Sequence, residues 1–281
     1  MNFLFNNLVE YLKANKSRAT DAFEARKEAA FTTMVGEWLG KNPSASKLHI
    51  AASQHKALRA AGVTTPMEKQ WSDDFGEHDL SLSLQADNRP STIIEIKFAR
   101  TAGKDSGEQD QVIQPYFSFL NNLLYSALGQ SARNITVPSH VAIAFIGDSI
   151  FSASRPDSKN PWQTLVSKAP EDGIDSILFA PSAARLNSGR GSGKSWPDVR
   201  DPTSLEQRHL GMVFTGGTGA KLMGIYRRSK SSLRVRFEVQ HAKIPANSSY
   251  FHIIALEPTS IELEDGEKRI GDLGTILNWL P

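Results

Sequence analysis

The stretch from Asp79 to Ala99, DLSLSLQADNRPSTIIEIKFA, decides the fold. Leucines at 80, 82 and 84 alternate with polar residues, a pattern that predicts a half-buried strand starting at Asp79. Residues 86–90 predict a turn, and Thr92–Ala99 predicts a second strand. The sequence therefore favours a hairpin whose two strands carry different side chains on their two faces.

Polar side chains are expected to meet on one face of this hairpin. Glu95 and Lys97 are two positions apart, and side chains at that spacing point the same way on a strand. They therefore share the face opposite the apolar side chains of the strand. Pairing of the two strands around the turn at Pro90 would bring Asp79 next to them, so that two carboxylates and one ammonium converge.

Such a trio suits metal-assisted hydrolysis of a phosphodiester. Hard oxygen ligands hold Mg²⁺ while leaving coordination positions for water and phosphate, and the cation lowers the pKa of its bound water. The predicted ligands are Asp79, Glu95 and the backbone carbonyl of Ile96, with Mn²⁺ able to substitute for Mg²⁺. Lys97 is expected to orient the attacking water and to balance charge on the phosphorus. The alternative is a solvated ion pair, which is common on exposed strands.

Asp79 followed by Glu95-Ile96-Lys97 on the next strand resembles the pattern of the PD-(D/E)xK nuclease superfamily, which includes many restriction endonucleases and repair nucleases. The resemblance covers about residues 20 to 146 and implies a restriction-endonuclease-like fold. It also implies a helix after the second strand, for which Glu108–Leu128 is the candidate. One departure is His78, which stands before Asp79 where the superfamily has proline.

The superfamily usually adds a glutamate from a preceding helix. The helix predicted over residues 20–39 carries three candidates, Glu24, Glu28 and Glu37. Glu28 is favoured because an Ala-Ala-Phe core stripe follows it, although Glu77 competes as the residue two positions before Asp79. The resemblance thus implies a catalytic set of Asp79, Glu95, Lys97 and Glu28.

The whole chain predicts an α/β (α+β) protein with a mixed central sheet flanked by helices. Helical periodicity covers residues 1–64, with Thr20 or Asp21 capping the second helix and Ser46–Ala61 forming the third before Gly62. The nuclease core is expected over 65–180, where strands at 140–146 and 176–180 and a helix at 162–168 follow the hairpin. Residues 181–281 predict a basic, mostly β region, with strands at 212–215, 221–227, 233–239 and 250–256 and a helix at 273–280.

Positive charge is concentrated in that C-terminal region. The chain has 32 basic and 30 acidic residues, but twelve Lys or Arg and only four acidic residues lie between Arg185 and Lys243. A basic stretch of this kind suits contacts with the phosphates of DNA. The residues predicted to contact DNA are Arg190, Lys194, Arg227, Arg228, Lys230, Arg234 and Arg236. A solvated basic surface without a ligand is the alternative.

Composition excludes several other functions. The 281 residues contain no cysteine, so disulfides, Cys-ligated metals and thiol nucleophiles are excluded. No apolar run predicts a signal peptide or a membrane span, so a cytoplasmic protein with no membrane partner is expected. His140 begins an apolar strand, and His241 and His252 are interpreted as isolated, so all three are expected to be structural.

These features together predict a Mg²⁺-dependent endonuclease that acts on DNA, with the double-stranded form favoured. The resemblance points to a restriction-like or defence-related role. Cleavage of both strands needs two sites, so a homodimer is expected. The alternative is a non-catalytic nucleic-acid-binding protein on the same fold, which would retain its affinity for DNA without a divalent metal and would never cut.

Overall fold

A computed structural model gives the structure of the chain, in which N-terminal helices precede and cover a mixed sheet. The residues that it describes are 2–25, 28–73, 76–84, 90–99, 115–116, 119, 139–153, 160–167, 174–179, 232–247, 249–265 and 268–272. None of the helices in these ranges is both long and apolar enough to cross a membrane.

The helices in the described ranges are α1 (Asn2–Ala14), α2 (Lys16–Glu24), α3 (Glu28–Gly40), α4 (Ala52–Ala60), α5 (Asp148–Phe151) and α6 (Pro161–Ser167). The strands in these ranges are β1 (Lys47–Ile50), β2 (Met67–Glu68), β3 (Ser72–Asp73), β4 (Gly76–Glu77), β5 (Leu80–Ser83), β6 (Thr92–Ala99), β7 (Ser139–Gly147), β8 (Ile174–Phe179), β9 (Ser232–Pro245), β10 (Tyr250–Asp265) and β11 (Lys268–Asp272).

Nine of these described strands form one sheet. Their order is β2-β1-β5-β6-β7-β10-β9-β8, and β11 pairs with β10. The pairs β1–β2 and β6–β7 are parallel and the other pairs are antiparallel. Strands β3 and β4 form a separate two-stranded sheet. The mixed α/β architecture that the sequence predicts is therefore confirmed.

Each face of the sheet is packed against helices. On one face, the apolar sides of α1, α2 and α3 cover the core strands, and the ring of Phe31 stacks on Phe145 with centroids 4.1 Å apart. Helices α5 and α6 contact strands on the other face, where Trp162 is fully buried. Tyr116 and Phe119, which belong to the predicted helix 108–128, lie against Trp162 with ring centroids 5.1 and 5.6 Å away.

The predicted hairpin is confirmed by the register of its strands. β5 and β6 are antiparallel, with Leu80 opposite Ile94. Ile94 and Ile96 are buried whereas Glu95 and Lys97 are partly exposed, as their alternation predicts. Strands β7 and β8 and helix α6 also form where the sequence predicts them, with ends that differ by one or two residues.

The prediction of one helix over Ser46–Ala61 is wrong at its start. Lys47–Ile50 forms strand β1, and α4 begins only at Ala52. Leu48 and Ile50 are fully buried because β1 pairs with β5 along its whole length. Sheet pairing and burial here outweigh the local helical periodicity. The predicted stop is confirmed at Gly62, whose φ of +84° favours glycine.

The predicted cap at Thr20 or Asp21 is also wrong. Helix α2 begins at Lys16, so both residues lie inside it, and Thr20 is buried against the core. Strands β9 and β10 extend well beyond the predicted ranges because they pair with each other over nearly their full lengths. The predicted strands at 212–215 and 221–227, the final helix at 273–280 and most of the helix at 108–128 lie outside the described residues.

Candidate active site

Two carboxylates bind the edge of β6 where β5 no longer pairs with it. The β5–β6 ladder ends at Ile94, while β6 continues beyond it. Main-chain N–H groups need a partner when water is excluded, and those two positions apart on a strand point to the same edge. Asp79 Oδ2 accepts the N–H of Ile96 at 2.8 Å, and Glu28 Oε2 accepts the N–H of Phe98 at 2.9 Å. The open end of the hairpin therefore fixes both carboxylates.

Lys97 reaches the same cluster from the neighbouring position on β6. Its Nζ lies 3.3 Å from Glu28 Oε2, and the two side chains are 27% and 39% exposed. An ion pair of this exposure contributes at most about 1 kcal/mol to the free energy of unfolding. Both charged groups also remain accessible to a molecule in solution, so this pair is better suited to positioning Lys97 than to stabilising the fold.

Glu95 is fixed by the residue that precedes Asp79. Its Oε1 accepts a hydrogen bond from His78 Nδ1, and the side chains of Glu95 and His78 are only 12% and 3% exposed. His78 and Asp79 are adjacent in sequence, so one short segment supplies one acid and holds another. The structure thus brings Glu28, Asp79, Glu95 and Lys97 together around the end of the hairpin.

Burial and the neighbouring acids change the titration of Asp79. Burial, followed by the nearby negative charge of Glu95, raises the pKa of Asp79 to about 6. The N–H of Ile96 opposes this shift, and Glu28 adds to it while Lys97 opposes it more weakly. A carboxyl whose ionisation is disfavoured by neighbouring acids is a place where a cation is favoured.

The donor set fits a hard divalent cation. Asp79 and Glu95 offer carboxylate oxygens, and Mg²⁺ is usually bound by one or two carboxylates together with waters and phosphate oxygens. Among the residues described, no group of three or more His, Cys, Asp or Glu side chains is arranged to hold a metal ion. A cation here would therefore take its remaining ligands from the carbonyl of Ile96, from water and from substrate.

The other candidate glutamates have different positions. Glu37 is 3% exposed at its side chain and forms ion pairs with Arg18 at 2.7 Å and Lys41 at 2.6 Å. Its hydrogen bonds join α2 to α3, which is a structural role. Glu24 is exposed at the end of α2, and Glu77 is exposed on strand β4. The contacts of Glu28 distinguish it from these three, because it reaches both Lys97 and the edge of β6.

A second polar cluster lies beyond β7 in the sheet, where strands β9 and β10 meet helix α5. His252 Nε2 donates to Asp148 Oδ1 at 2.9 Å, which leaves His252 Nδ1 to accept the proton of His241 Nε2 at 2.9 Å. The ring of Phe151 stacks on His252 with centroids 3.8 Å apart, and Lys243 Nζ lies 3.4 Å from Asp148. The interpretation of His241 and His252 as isolated residues is therefore wrong, because pairing of β9 with β10 places them side by side.

This second cluster lies on the same sheet face as Lys97. The register across β6, β7, β10 and β9 aligns Lys97 with Ala144, Ile254 and His241 in one row. Three strand spacings separate the ends of that row, or about 14 Å. Residues opposite each other across paired strands point to the same face, so the exposed His241 and Lys243 lie on the face that carries Lys97. Ala144 and Ile254, which lie between them in the row, are fully buried.

Most of the basic residues predicted to contact DNA lie outside the described ranges, namely Arg190, Lys194, Arg227, Arg228 and Lys230. Arg234 lies in β9, opposite Glu262 of β10. Arg236 is exposed, but it alternates with the buried Val235 and Phe237. By the same register it projects from the face opposite to Glu95 and Lys97.

Sequence reasoning missed the partner of Glu95. In the sequence His78 is only a departure from the proline of the motif, whereas the structure shows that its imidazole binds the Glu95 carboxylate. The hairpin register alone does not predict this contact, because the regular pairing stops at Leu80 and Ile94 and His78 lies beyond the end of the ladder. Comparisons of the chain with protein families, curated proteins and solved structures give no match.

Proposed function

We propose that the chain is a divalent-metal-dependent endonuclease that hydrolyses phosphodiester bonds of DNA, on a restriction-endonuclease-like fold. The observation that carries the proposal is the convergence of Asp79, Glu95, Lys97 and Glu28 at the open end of the β5–β6 hairpin. Three acids and one lysine from separate parts of the chain meet there, and part of the cluster is open to solvent.

Each residue has a chemical role in this proposal. Asp79, Glu95 and the carbonyl of Ile96 would hold Mg²⁺ or Mn²⁺, which supplies Lewis acidity and a water of lowered pKa when bound. The Lys97 ammonium would hold the attacking water or a phosphate oxygen and oppose the negative charge that develops on the phosphoryl group. Glu28 keeps Lys97 in place through their 3.3 Å contact.

DNA is the proposed substrate, and the double-stranded form is favoured. Lys97 and Lys243 project from the same face of the sheet, and cationic side chains favour a polyanion. The excess of Lys and Arg between residues 185 and 243 supports the same substrate class. We further propose that two copies assemble as a homodimer, since one site cuts one strand. A restriction-like or defence role rests on the resemblance of the motif alone.

The test is a plasmid-cleavage assay with Mg²⁺ or with EDTA. Wild type should relax or linearise supercoiled plasmid only with the metal, whereas Lys97→Ala should not cut. Lys47→Ala is a matched control, since Lys47 is also a strand lysine paired with a glutamate, Glu68, at 2.7 Å. The control should cut as wild type does. Equal cutting by Lys97→Ala and wild type would contradict the assigned site.

A second candidate function is nucleic-acid binding without cleavage. It is favoured by the fact that the site groups already have protein partners, with Lys97 beside Glu28 and Glu95 beside His78. Gel-shift experiments in EDTA distinguish the two candidates. A protein that shifts DNA equally well with EDTA or Mg²⁺, and never cuts it, has the binding function.

A further inference from the structure

His78 is held rigidly beside the candidate active site. Its main-chain N–H donates to the carbonyl of Trp71 at 2.9 Å, and its carbonyl accepts the side-chain amide of Gln70 at 3.2 Å. The imidazole is 3% exposed and meets the ring of His140 edge to face, with centroids 5.9 Å apart and planes at 82°. Both the backbone and the ring of His78 are therefore fixed by packing.

The fixed ring presents one nitrogen to one acid. His78 Nδ1 lies within hydrogen-bond distance of Glu95 Oε1, and a carboxylate can only accept, so the proton of this bond belongs to Nδ1. The bond holds Oε1 and with it the plane of the carboxylate. Glu95 Oε2 does not take part in this bond. The His78 contact thus sets the direction in which the second oxygen of Glu95 points.

We propose that His78 is a positioning residue that orients the Glu95 carboxylate for a divalent cation. This inference rests on the proposed function, because it assigns Glu95 as a ligand. Carboxylates that bind metals are commonly held by such outer hydrogen bonds, and loss of one typically lowers metal affinity or activity about 10- to 100-fold. His78 therefore has a role at the position where the resembling superfamily has proline.

The decisive measurement is the affinity of the 281-residue chain for Mn²⁺ alone, determined by calorimetric titration in the absence of DNA. His78→Asn retains an N–H donor close to the position of Nδ1, whereas His78→Gln moves its donor to the position of Nε2. His78→Leu removes the donor but keeps apolar bulk. His55→Leu is the matched control, because the imidazole of His55 contacts the backbone carbonyls of Ile50 and Glu68, at 3.1 and 3.2 Å.

The expected result is a graded loss of metal affinity. His78→Leu and His78→Gln should weaken Mn²⁺ binding about 10- to 100-fold, while His78→Asn and His55→Leu should stay within about threefold of wild type. The Mn²⁺ concentration for half-maximal plasmid cleavage should rise by the same factor in the first two variants. Cleavage at saturating Mn²⁺ should then recover most of the wild-type rate, which a merely structural role of His78 would not produce.

Two results would overturn the inference, and only the second would also overturn the proposed nuclease function. If wild type binds Mn²⁺ and cuts DNA but His78→Gln binds Mn²⁺ equally well, the role of His78 is wrong and the proposed nuclease stands. If wild type does not bind Mn²⁺ at all, both the role of His78 and the metal-dependent function are wrong. Circular dichroism identifies any variant that fails to fold. If His78→Leu does not fold, the comparison of His78→Asn with His78→Gln still tests the inference.

Discussion

Lys97 on strand β6 and Glu28 at the first turn of α3 are joined by a 3.3 Å contact between Nζ and Oε2. The same Glu28 oxygen accepts the N–H of Phe98. One carboxylate oxygen therefore connects a helix to both the backbone and a side chain of the adjacent strand. This connection explains how a residue far away in the sequence reaches the hairpin.

Replacement of Lys97 should remove activity and leave the fold intact. We expect Lys97→Ala to lower the rate of plasmid cleavage about 100- to 1,000-fold, as the loss of one charge-stabilising donor does in other enzymes. Its effect on the free energy of unfolding should stay below about 1 kcal/mol, because the ion pair with Glu28 is partly exposed. Cleavage rates and urea unfolding curves of the same preparation test both parts. A large loss of stability would mean that Lys97 is chiefly structural.

Asp79 should cost stability whenever it is ionised. Its pKa in the folded protein is about 6, above the ordinary value of 3.8, so the folded state is favoured below about pH 4 and loses stability as the pH rises through 6. Asp79→Asn keeps an oxygen for the N–H of Ile96 and removes the charge. We expect it to raise the free energy of unfolding by about 1 to 3 kcal/mol near pH 8 and to change it little near pH 4.

Urea unfolding at these two pH values in EDTA measures the effect of Asp79→Asn. Addition of Mg²⁺ near pH 8 should then stabilise wild type more than Asp79→Asn, because a ligand of the folded state stabilises it by mass action. Equal stability of the two proteins near pH 8 would show that ionisation of Asp79 in the folded protein does not cost stability. Equal stabilisation by Mg²⁺ would remove Asp79 from the set of ligands.

Substitutions of Glu37 and Glu28, both in helix α3, should have opposite effects: one on stability and the other on cleavage. Burial alone would raise the pKa of Glu37, but hydrogen bonds from Arg18 and Lys41 outweigh it and lower the pKa. Its contribution to stability is therefore present at neutral pH and is lost as the pH falls through that lowered pKa. We expect Glu37→Gln to cost about 1 to 3 kcal/mol at neutral pH with cleavage by the folded protein unchanged.

Glu28→Gln is the counterpart of that variant. It retains an acceptor for the N–H of Phe98 but loses the charge that holds Lys97. We expect a change in unfolding free energy below about 1 kcal/mol and a loss of cleavage of at least about tenfold. Chemical denaturation and plasmid cleavage of both variants provide the comparison. Loss of cleavage in Glu37→Gln, without loss in Glu28→Gln, would reverse the assignment.

The number of chains in the assembly should determine the pattern of plasmid cleavage. A homodimer of the 30.9 kDa chain presents two sites and can cut both strands in one binding event. We therefore expect sedimentation equilibrium to give twice the chain mass and supercoiled plasmid to become linear without a long-lived nicked form. A monomer that accumulates nicked circles would contradict the dimer while leaving the proposed site unaffected.

The sequence predicts those features that depend on local alternation. The two strands around Pro90 and the separation of Glu95 and Lys97 from the apolar face follow from period-two patterns. The buried strand β7 follows from its continuous apolar run. Strand β1 could not be predicted in the same way. It is short, and only its pairing with β5 makes the burial of Leu48 and Ile50 favourable over a helical turn.

The site was predictable in part for the same reason. Asp79 is brought to Glu95 by a local hairpin, so spacing alone indicates the contact. The position of Glu28 depends on how α3 crosses the sheet, which is a matter of packing that no local pattern contains. The resemblance implies only that a helix glutamate joins the site, and the Ala-Ala-Phe core stripe favours Glu28 among the candidates. The hydrogen bond of His78 to Glu95 depends on the end of the hairpin, where the regular ladder no longer fixes the register.

The two carboxylates that bind the edge of β6 also limit how far the sheet can grow. An uncovered row of N–H groups on a strand recruits further strands and promotes aggregation between chains. Asp79 and Glu28 occupy two such donors, at Ile96 and Phe98, and they place negative charge where another chain would have to approach. Apolar substitution of both acids would therefore leave these two donors unpaired and favour the addition of a strand from another chain.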